Sequence, residues 1–509
     1  MEREYIVSLN KDVDYDQFWN EIENASPSDG FVPSRRVDIV NNRDLSERSC
    51  HYALTDEEAA KLRLDPRVAA VAIPAPKDVK AHFFVQSGDF NRGSAIGSDY
   101  VNWGLRRCVL EQLESTVGDQ YPYCIDGTGV DIVIQDNGVM SGHPEWQDRN
   151  GVSRFVEHDW FKAAGVAGTM PNGHYGDVGN HGTHVAGIAA GKTYGWAKGA
   201  KIYSIRYDLF DSEAFDLIKI WHQNKPIDPK TGYKRPTIVN ASWGYRWFYD
   251  NNGYGGVQVN RTYRGVTTTT GALNSAEGQI SLYGGAHNFT YGPSDVDQQE
   301  LTDAGVICVR AAGNYYHKID TPGGPDWDNN YTYSTAWALG IVPAGDPIYY
   351  HRGGSPWSAD TIIVSNVDRT PNGSLEQLQS SSERGPGVYI SAPGTAITSA
   401  TNSTGFAGYD SLYPGNSSYK ISRISGTSMA APQVTGMLAL YLQLNPNATV
   451  VDCKKWLSTV ASKEVMYTTT LDNDYTNTRS LMGQSRKFMY FPYANDVSWK
   501  STGLTIRKT

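Results

Sequence analysis

The sequence predicts an open α/β fold for most of its length, a mainly parallel sheet with helices on both faces, preceded by a small α+β domain. Three observations carry that prediction. Short apolar runs recur at residues 130–134, 237–241 and 306–311, each of strand length. Helical patterns at 181–190 and 212–222 lie between some of them, and such alternation belongs to sheets whose strands run parallel. Third, Gly426-Thr427-Ser428-Met429-Ala430-Ala431-Pro432 runs into a segment, 433–444, in which nearly every residue is apolar or small. That is the pattern of a helix buried on all sides.

Taken in order, residues 5–9 read as a strand, 15–22 as a short amphipathic helix and 37–40 as a second strand. Thr55 followed three residues later by Glu58 is a capping box, opening a helix that carries Ala59, Ala60 and Leu62. Asp65-Pro66 stops it, and the apolar strand 68–73 follows. Residues 1–80 therefore form a module of their own, on pattern alone any ferredoxin-like accessory domain. Residues 81–100 read as a linker, with the apolar patch Phe83-Phe84-Val85 near its start.

The large domain takes residues 101–465 and adds candidate strands at 201–206, 361–367 and 388–391. The run 130–134 ends in Gln135-Asp136-Asn137-Gly138, which places Asp136 at the carboxyl end of a buried strand, where open α/β sheets carry their sites. An insertion spans about 245–295, rich in Tyr, Gly, Thr and Asn as a hairpin-bearing segment is. Residues 466–509 read as a C-terminal extension whose marked apolar patch is Phe488-Met489-Tyr490-Phe491.

Composition excludes several classes. With 19% charged and 39% hydrophobic residues in 509, the chain is globular and large enough for a sizeable core. A net charge of -9 without a Lys/Arg run speaks against nucleic-acid binding. No stretch is apolar and long enough for a membrane helix. The first residues lack the basic and apolar regions of a secretory signal, so the expected compartment at synthesis is the cytoplasm. The five cysteines have no metal-ligand spacing; they read as free thiols, with a Cys108–Cys124 bridge left open.

Ser428 falls at the start of the apolar helix, where free N–H groups and the helix dipole favour the negative charge that a hydroxyl nucleophile generates on a carbonyl. Pro432 is expected in the first turn, where no N–H is needed. His181, in Gly179-Asn180-His181-Gly182-Thr183-His184-Val185-Ala186-Gly187, stands just before an Ala- and Gly-rich helix. It can accept the Ser428 proton if a buried carboxylate holds its other ring nitrogen, and Asp136 is the candidate. Singly, each has a plainer explanation: Ser is a common helix cap, a lone His is usually structural, and an Asp at a strand end means little. Together they make a candidate catalytic triad, and the chain order Asp, His, Ser is the one known from subtilisin.

On these stretches the chain resembles the subtilisin-like serine proteases, the subtilases, over roughly residues 100–465. The resemblance extends to Ser242-Trp243-Gly244, similar to the strand that pairs with the substrate backbone, and to Ala311-Ala312-Gly313-Asn314, whose Asn the family uses in its oxyanion hole. It implies a subtilisin-like mainly parallel sheet and a serine endopeptidase acting on polypeptides without a cofactor. Catalysis would rest on Asp136, His181, Ser428 and Asn314, with His184 structural. Residues 5–7 and 56–68 resemble the ends of the subtilase propeptide, which implies an N-terminal domain acting as intramolecular inhibitor. The linker is then expected to be cut between residues 76 and 102, with 77–94 lying beside Ser242, Trp243 and Gly244 near Ser428.

Some features depart from the family. Asn137 stands where Ser or Thr usually follows the catalytic Asp. The connection between Gly191 and Ala200 is short, and Glu145 is a candidate oxygen ligand without visible partners, so no metal is assigned. The insertion and the tail are unusual enough to keep a second reading open. In it, the fold serves as a non-enzymatic docking subunit of a larger assembly such as a virus particle, with a partner bound through the insertion or tail.

Overall fold

The computed structural model describes residues 2–10, 13–27, 30–41, 48–73, 84–87, 102–110, 120–123, 125–210, 213–248, 259–270, 286–288, 290, 292–334, 345–354, 356–469 and 477–492. The chain divides into two compact units, Met1–Ala81 and His82–Thr509.

The first unit is a four-stranded antiparallel sheet in the spatial order Ile39–Asn41, Ser49–Leu54, Arg3–Leu9, Val68–Ala72. Its helices are Tyr15–Glu23, capped by Asp14, and Asp56–Leu62, whose Thr55/Glu58 capping box forms in both directions. Tyr5, Val7, Leu9, Phe18, Ile22, Tyr52, Leu54 and Leu62 close its core. The strand Ser49–Leu54 is absent from the sequence-based reading. Its buried residues Cys50, Tyr52 and Leu54 alternate with Ser49, His51 and Ala53, so half of each pair reads as polar or small.

The second unit is built on an eight-stranded sheet, in the order Ser462–Glu464, Lys487–Met489, Ile390–Pro393, Ile362–Val367, Ile307–Ala311, Thr237–Ala241, Asp131–Asp136, Lys201–Arg206. All neighbours are parallel except the first pair. The central strands are buried on both faces, which is why they read as continuous apolar runs. Ile132, Ile134, Ile307 and Val309 pack on one side with helices His181–Ala190 and Thr427–Leu444. Val133, Val239, Val306 and Cys308 pack on the other with helices Glu213–Asn224 and Gly292–Asp303.

Two boundaries differ from the sequence reading. The tail returns to the sheet: Lys487–Met489 pairs with both Ser462–Glu464 and Ile390–Pro393, and Phe488, Met489 and Phe491 join the main core. Gln484 Nε2 donates to the hydroxyls of Ser365 and Ser391 at 2.9 and 2.6 Å. The polar run before residue 477 conceals this return. The linker differs as well. Phe84–Ser87 is a strand, but its partner is Gln120–Tyr123 rather than the segment at Ser242. Phe83 and the rest of 77–94 lie outside the described residues.

Within the insertion, Val259–Tyr263 and Val266–Thr270 form a hairpin that extends sideways onto Asn330–Tyr333 and Ile348–Tyr349. Its turn residues Arg264 and Gly265 have φ of 48° and 82°, the two left-handed positions of a type I′ turn. Arg264 is held there by Asn329 Oδ1, which accepts its N–H at 2.6 Å, and by Asp326, which accepts its guanidinium at 2.7 and 3.1 Å. Cys50, Cys108, Cys308 and Cys453 are buried thiols outside any disulfide, so Cys108 forms no bridge. Among the described residues no helix is long and apolar enough to cross a membrane.

Candidate active site

Asp136 ends its strand almost fully buried, and both carboxylate oxygens face His181 Nδ1, at 2.9 and 3.0 Å. Oδ1 also accepts the Asn137 N–H at 2.8 Å. The carboxylate thereby fixes the imidazole, leaving Nε2 to the cleft. Burial pulls the His181 pKa down, but the charge and hydrogen bond of Asp136, with Asp177 behind, outweigh it and hold the imidazole above its ordinary value.

The His181 helix begins irregularly. Its cap residue Asn180 sits at φ 64° and makes no side-chain capping bond. The free N–H groups are satisfied from elsewhere: Gly182 donates to Asn137 Oδ1 at 3.0 Å and Thr183 to Asp177 Oδ2 at 3.1 Å. Asn137, the departure after Asp136, is thus a remote helix cap. Gly182 allows it, since a Cβ there would lie 2.0 Å from the Gly138 carbonyl oxygen. His184, three residues on, is fully buried, donates from Nε2 to Ser422 O at 3.0 Å, and is pushed down to about 3 by burial. It does not line the cleft.

Ser428 is the second residue of helix Thr427–Leu444. Pro432 lies inside this helix rather than in its first turn, and it lacks the N–H that would bond the Ser428 carbonyl. Ser242 Oγ replaces that donor at 2.9 Å, and is itself oriented by Asn240 Nδ2 at 2.8 Å. In return the Ser428 hydroxyl donates to the Ser242 carbonyl at 3.0 Å. Ser242 is therefore tied to Ser428 by two reciprocal bonds, a structural part that the sequence did not suggest.

The N–H groups at this helix end are also sorted. Thr427 N–H goes to Asn314 Oδ1 at 2.9 Å and Met429 N–H to Gly426 O at 3.0 Å, so Ser428 N–H is left over. Asn314 Oδ1 takes the Thr427 hydroxyl too, at 3.1 Å, while that hydroxyl accepts the Gly313 N–H at 3.0 Å. The amide is turned so that Nδ2 remains to donate. Gly313, at φ 125°, brings the chain around; a Cβ there would fall 2.3 to 2.4 Å from Asn288 and Glu383.

Asp136, His181, Ser242, Trp243, Gly244, Asn314 and Ser428 all line one cavity of about 270 Å³. Trp243 stacks on Tyr207 with ring centroids 4.8 Å apart, forming one wall. The cavity also reaches Asn288 and Arg310, which the sequence reading did not select. Arg310 had a visible signal: it is the one charged residue in the otherwise apolar run 306–312. Burial lowers its pKa to about 10 against the pull of Glu383 and Asp295. Glu383, also fully buried, is pushed up to about 8, hydrogen bonds and nearby cations opposing the rise.

Glu145 has the partners that the sequence did not reveal. Its Oε1 accepts Tyr413 Oη at 2.9 Å, and Oε2 accepts the N–H groups of Thr193 and Tyr194 at 2.9 and 3.3 Å. The short connection after Gly191 folds over it. Beside it, Arg154 donates to the carbonyls of Glu145, Ala190 and Ala200 at 3.2, 2.6 and 2.8 Å. Among the described residues no three His, Cys, Asp or Glu side chains are grouped to hold a metal.

An open α/β sheet that brings a carboxylate-bound imidazole and a helix-end serine to one cavity has the constitution of a serine hydrolase. The chain belongs to the subtilase family, whose model matches residues 127–484, and so to the subtilisin-type serine endopeptidases that act on peptide bonds. It is 29% identical over 414 residues to an extracellular serine proteinase of Thermus sp. (strain Rt41A), covering 81% of this chain and 70% of that one. It is 26% identical over 397 residues to alkaline serine exoprotease A of Vibrio alginolyticus, covering 78% and 52%. The chain thus spans about half the length of the second relative. Among solved structures, a cold adapted subtilisin-like serine proteinase matches 77% of this chain and 98% of its own at 22% identity and a TM-score of 0.44. Fervidolysin from Fervidobacterium pennivorans matches 97% and 61% at 19% identity and a TM-score of 0.42.

Proposed function

We propose that this chain hydrolyses peptide bonds through an acyl-enzyme on Ser428, with His181 as general base and acid and Asp136 as its orienting carboxylate. The observation that carries the reading is the clamp of both Asp136 oxygens on His181 Nδ1, in the same cavity as Ser428. For attack, the Ser428 hydroxyl leaves the Ser242 carbonyl and turns to His181 Nε2. Its proton passes to that nitrogen as the Oγ–C bond forms. The oxyanion is met by Asn314 Nδ2 and Ser428 N–H, the two donors left unused at the helix end. Collapse breaks the C–N bond, with the His181 proton going to the leaving amine, and water then repeats the sequence to release the acid. Ser242, Trp243 and Gly244 line the cavity where a substrate backbone would extend.

The experiment is reaction with a fluorophosphonate, followed by mass mapping, beside peptide hydrolysis by wild type and Ser428→Ala. An adduct on Ser428, and hydrolysis lost in the variant, is the expected result. Unlabelled Ser428 in folded protein would instead support the docking-subunit reading.

We further propose that the N-terminal unit acts as an intramolecular inhibitor. Support comes from its separate core and its resemblance to a propeptide at residues 5–7 and 56–68. Intact mass and N-terminal sequencing of wild type and Ser428→Ala test it: a cut between residues 76 and 102 in wild type alone means self-processing. Addition of the isolated unit to cut enzyme should then suppress hydrolysis.

A further inference from the structure

Arg310 is 2% exposed, yet its Nε and Nη1 have no hydrogen-bond partner among the described residues. A buried guanidinium left without acceptors is costly, and native interiors rarely keep one without use. Its place in the fold is specific. Arg310 is the penultimate residue of strand Ile307–Ala311, four residues before Asn314, and it lines the cavity that also holds Ser428 and Asn314. Gly354 leaves room for it: a Cβ there would lie 3.2 Å from Arg310 Nη2.

The groups around it do not satisfy it. Glu383 is buried behind the cavity wall and spends Oε1 on Asn288 Nδ2 at 2.5 Å, while its Oε2 has no partner. No oxygen of Glu383 comes within ion-pair distance of the guanidinium among the described contacts. Asp295, on helix Gly292–Asp303, accepts the Trp357 N–H at 2.8 Å. Asn288, the other polar residue at this end of the cavity, has its amide nitrogen committed to Glu383.

We infer that Arg310 sets substrate choice by receiving the carboxylate of an Asp or Glu side chain, that of the residue whose carbonyl Ser428 attacks. The placement follows from the cavity itself. Ser428, Asn314 and Arg310 line one cavity, so a scissile carbonyl held between Ser428 Oγ and the donors Asn314 Nδ2 and Ser428 N–H has Arg310 within the space open to the side chain of the same residue. A guanidinium offers a planar fork of donors that matches a carboxylate. Burial with a low local dielectric strengthens that bond and penalises a substrate that leaves the fork unpaired. Cleavage after Asp or Glu requires no chemistry beyond that proposed above.

The inference rests on the proposed catalytic role of Ser428, and the two can fail separately. Fluorophosphonate labelling of wild type reports the nucleophile whatever the substrate preference. Peptides that differ only in the residue before the scissile bond (Glu, Asp, Gln, Leu, Phe, Lys) then report the pocket. The expected profile is a kcat/KM for Glu or Asp at least about tenfold above Gln and Leu, the discrimination of a charge-assisted hydrogen bond. Arg310→Met should invert it, lowering Glu relative to Leu by about a hundredfold, and Arg310→Lys should restore part of the preference without the fork. A labelled wild-type enzyme that prefers Leu, Phe or Gln overturns the assignment, and one that prefers Lys makes Glu383 the determinant instead. These outcomes are read on wild type, so they stand even if Arg310→Met fails to fold.

Discussion

Ser242→Ala probes a coupling that the structure makes explicit. Pro432 deprives the Ser428 carbonyl of its helical donor, and Ser242 Oγ supplies the replacement. Removing that hydroxyl leaves the carbonyl unpaired at the nucleophile and strips Asn240 Nδ2 of its acceptor. An unsatisfied buried polar group costs about 1–3 kcal/mol, so the urea midpoint should fall by that amount divided by the slope of the transition. The Ser428 backbone should also shift, and misplacing a nucleophile by about 1 Å can cost on the order of a hundredfold in rate. Pro432→Ala restores an N–H four residues after Ser428. In that background the loss on Ser242→Ala should shrink by about 1 kcal/mol, a coupling that a double-mutant cycle measures from four denaturation curves. Additive losses in all four proteins would refute the account of Ser242 as a substitute donor. So would a Ser242→Ala variant with wild-type stability and kcat.

Four further outcomes follow from the same geometry. Asn314→Ala should lower kcat by roughly 10² to 10³ with little change in KM, read by steady-state kinetics, because it removes the donor that we propose acts on the oxyanion. Activity should fall on acidification with a midpoint above about 6.5, the ordinary imidazole value, since Asp136 holds His181 protonated to higher pH. The stability effect has the opposite sign. With its folded-state pKa raised, His181 contributes stability that is fully present below about 6.5 and lost as pH rises through the raised value. Thermal melts beside the rate profile will separate inactivation from unfolding. Glu145→Ala should destabilise by on the order of 3 kcal/mol in urea titrations, as Tyr413 Oη and two N–H groups lose their buried acceptor.

What the sequence showed depended on where the signal resides. Asp136 and Ser428 were legible because local pattern places them: an apolar run fixes a strand end, and an apolar helix fixes its own start. His181 was legible for the same reason. Ser242 as a donor to Ser428 O was not, because the contact joins residues 186 positions apart and exists only because Pro432 lies inside the helix. The expectation of Pro432 in the first turn misplaced it for a related reason, since the helix starts at Thr427 and not after the small residues. Phe488 and Met489 stood out as part of an apolar patch but not as a sheet strand, because three residues beside a polar run carry no periodicity. Glu145 looked unpartnered because two of its three donors are backbone N–H groups, which composition never displays.

The departures from local rules gather at the site. Asn180 caps a helix from the left-handed region, Pro432 interrupts another, Gly313 turns where no side chain fits, and buried Arg310 has Nε and Nη1 without a partner among the described residues. The first three are compensated from distant parts of the chain. Asn137 and Asp177 cap the His181 helix, Ser242 bonds the Ser428 carbonyl, and the Thr427 hydroxyl accepts the Gly313 N–H while donating to Asn314 Oδ1. Each compensation also positions a group to which we assign a catalytic role: the imidazole, the nucleophile and the oxyanion donor respectively. Local strain of this kind persists only when the surrounding structure over-determines it. Arg310 is the exception: its Nε and Nη1 find no partner among the described residues. On the inference drawn above, its partner is the acidic side chain of a substrate.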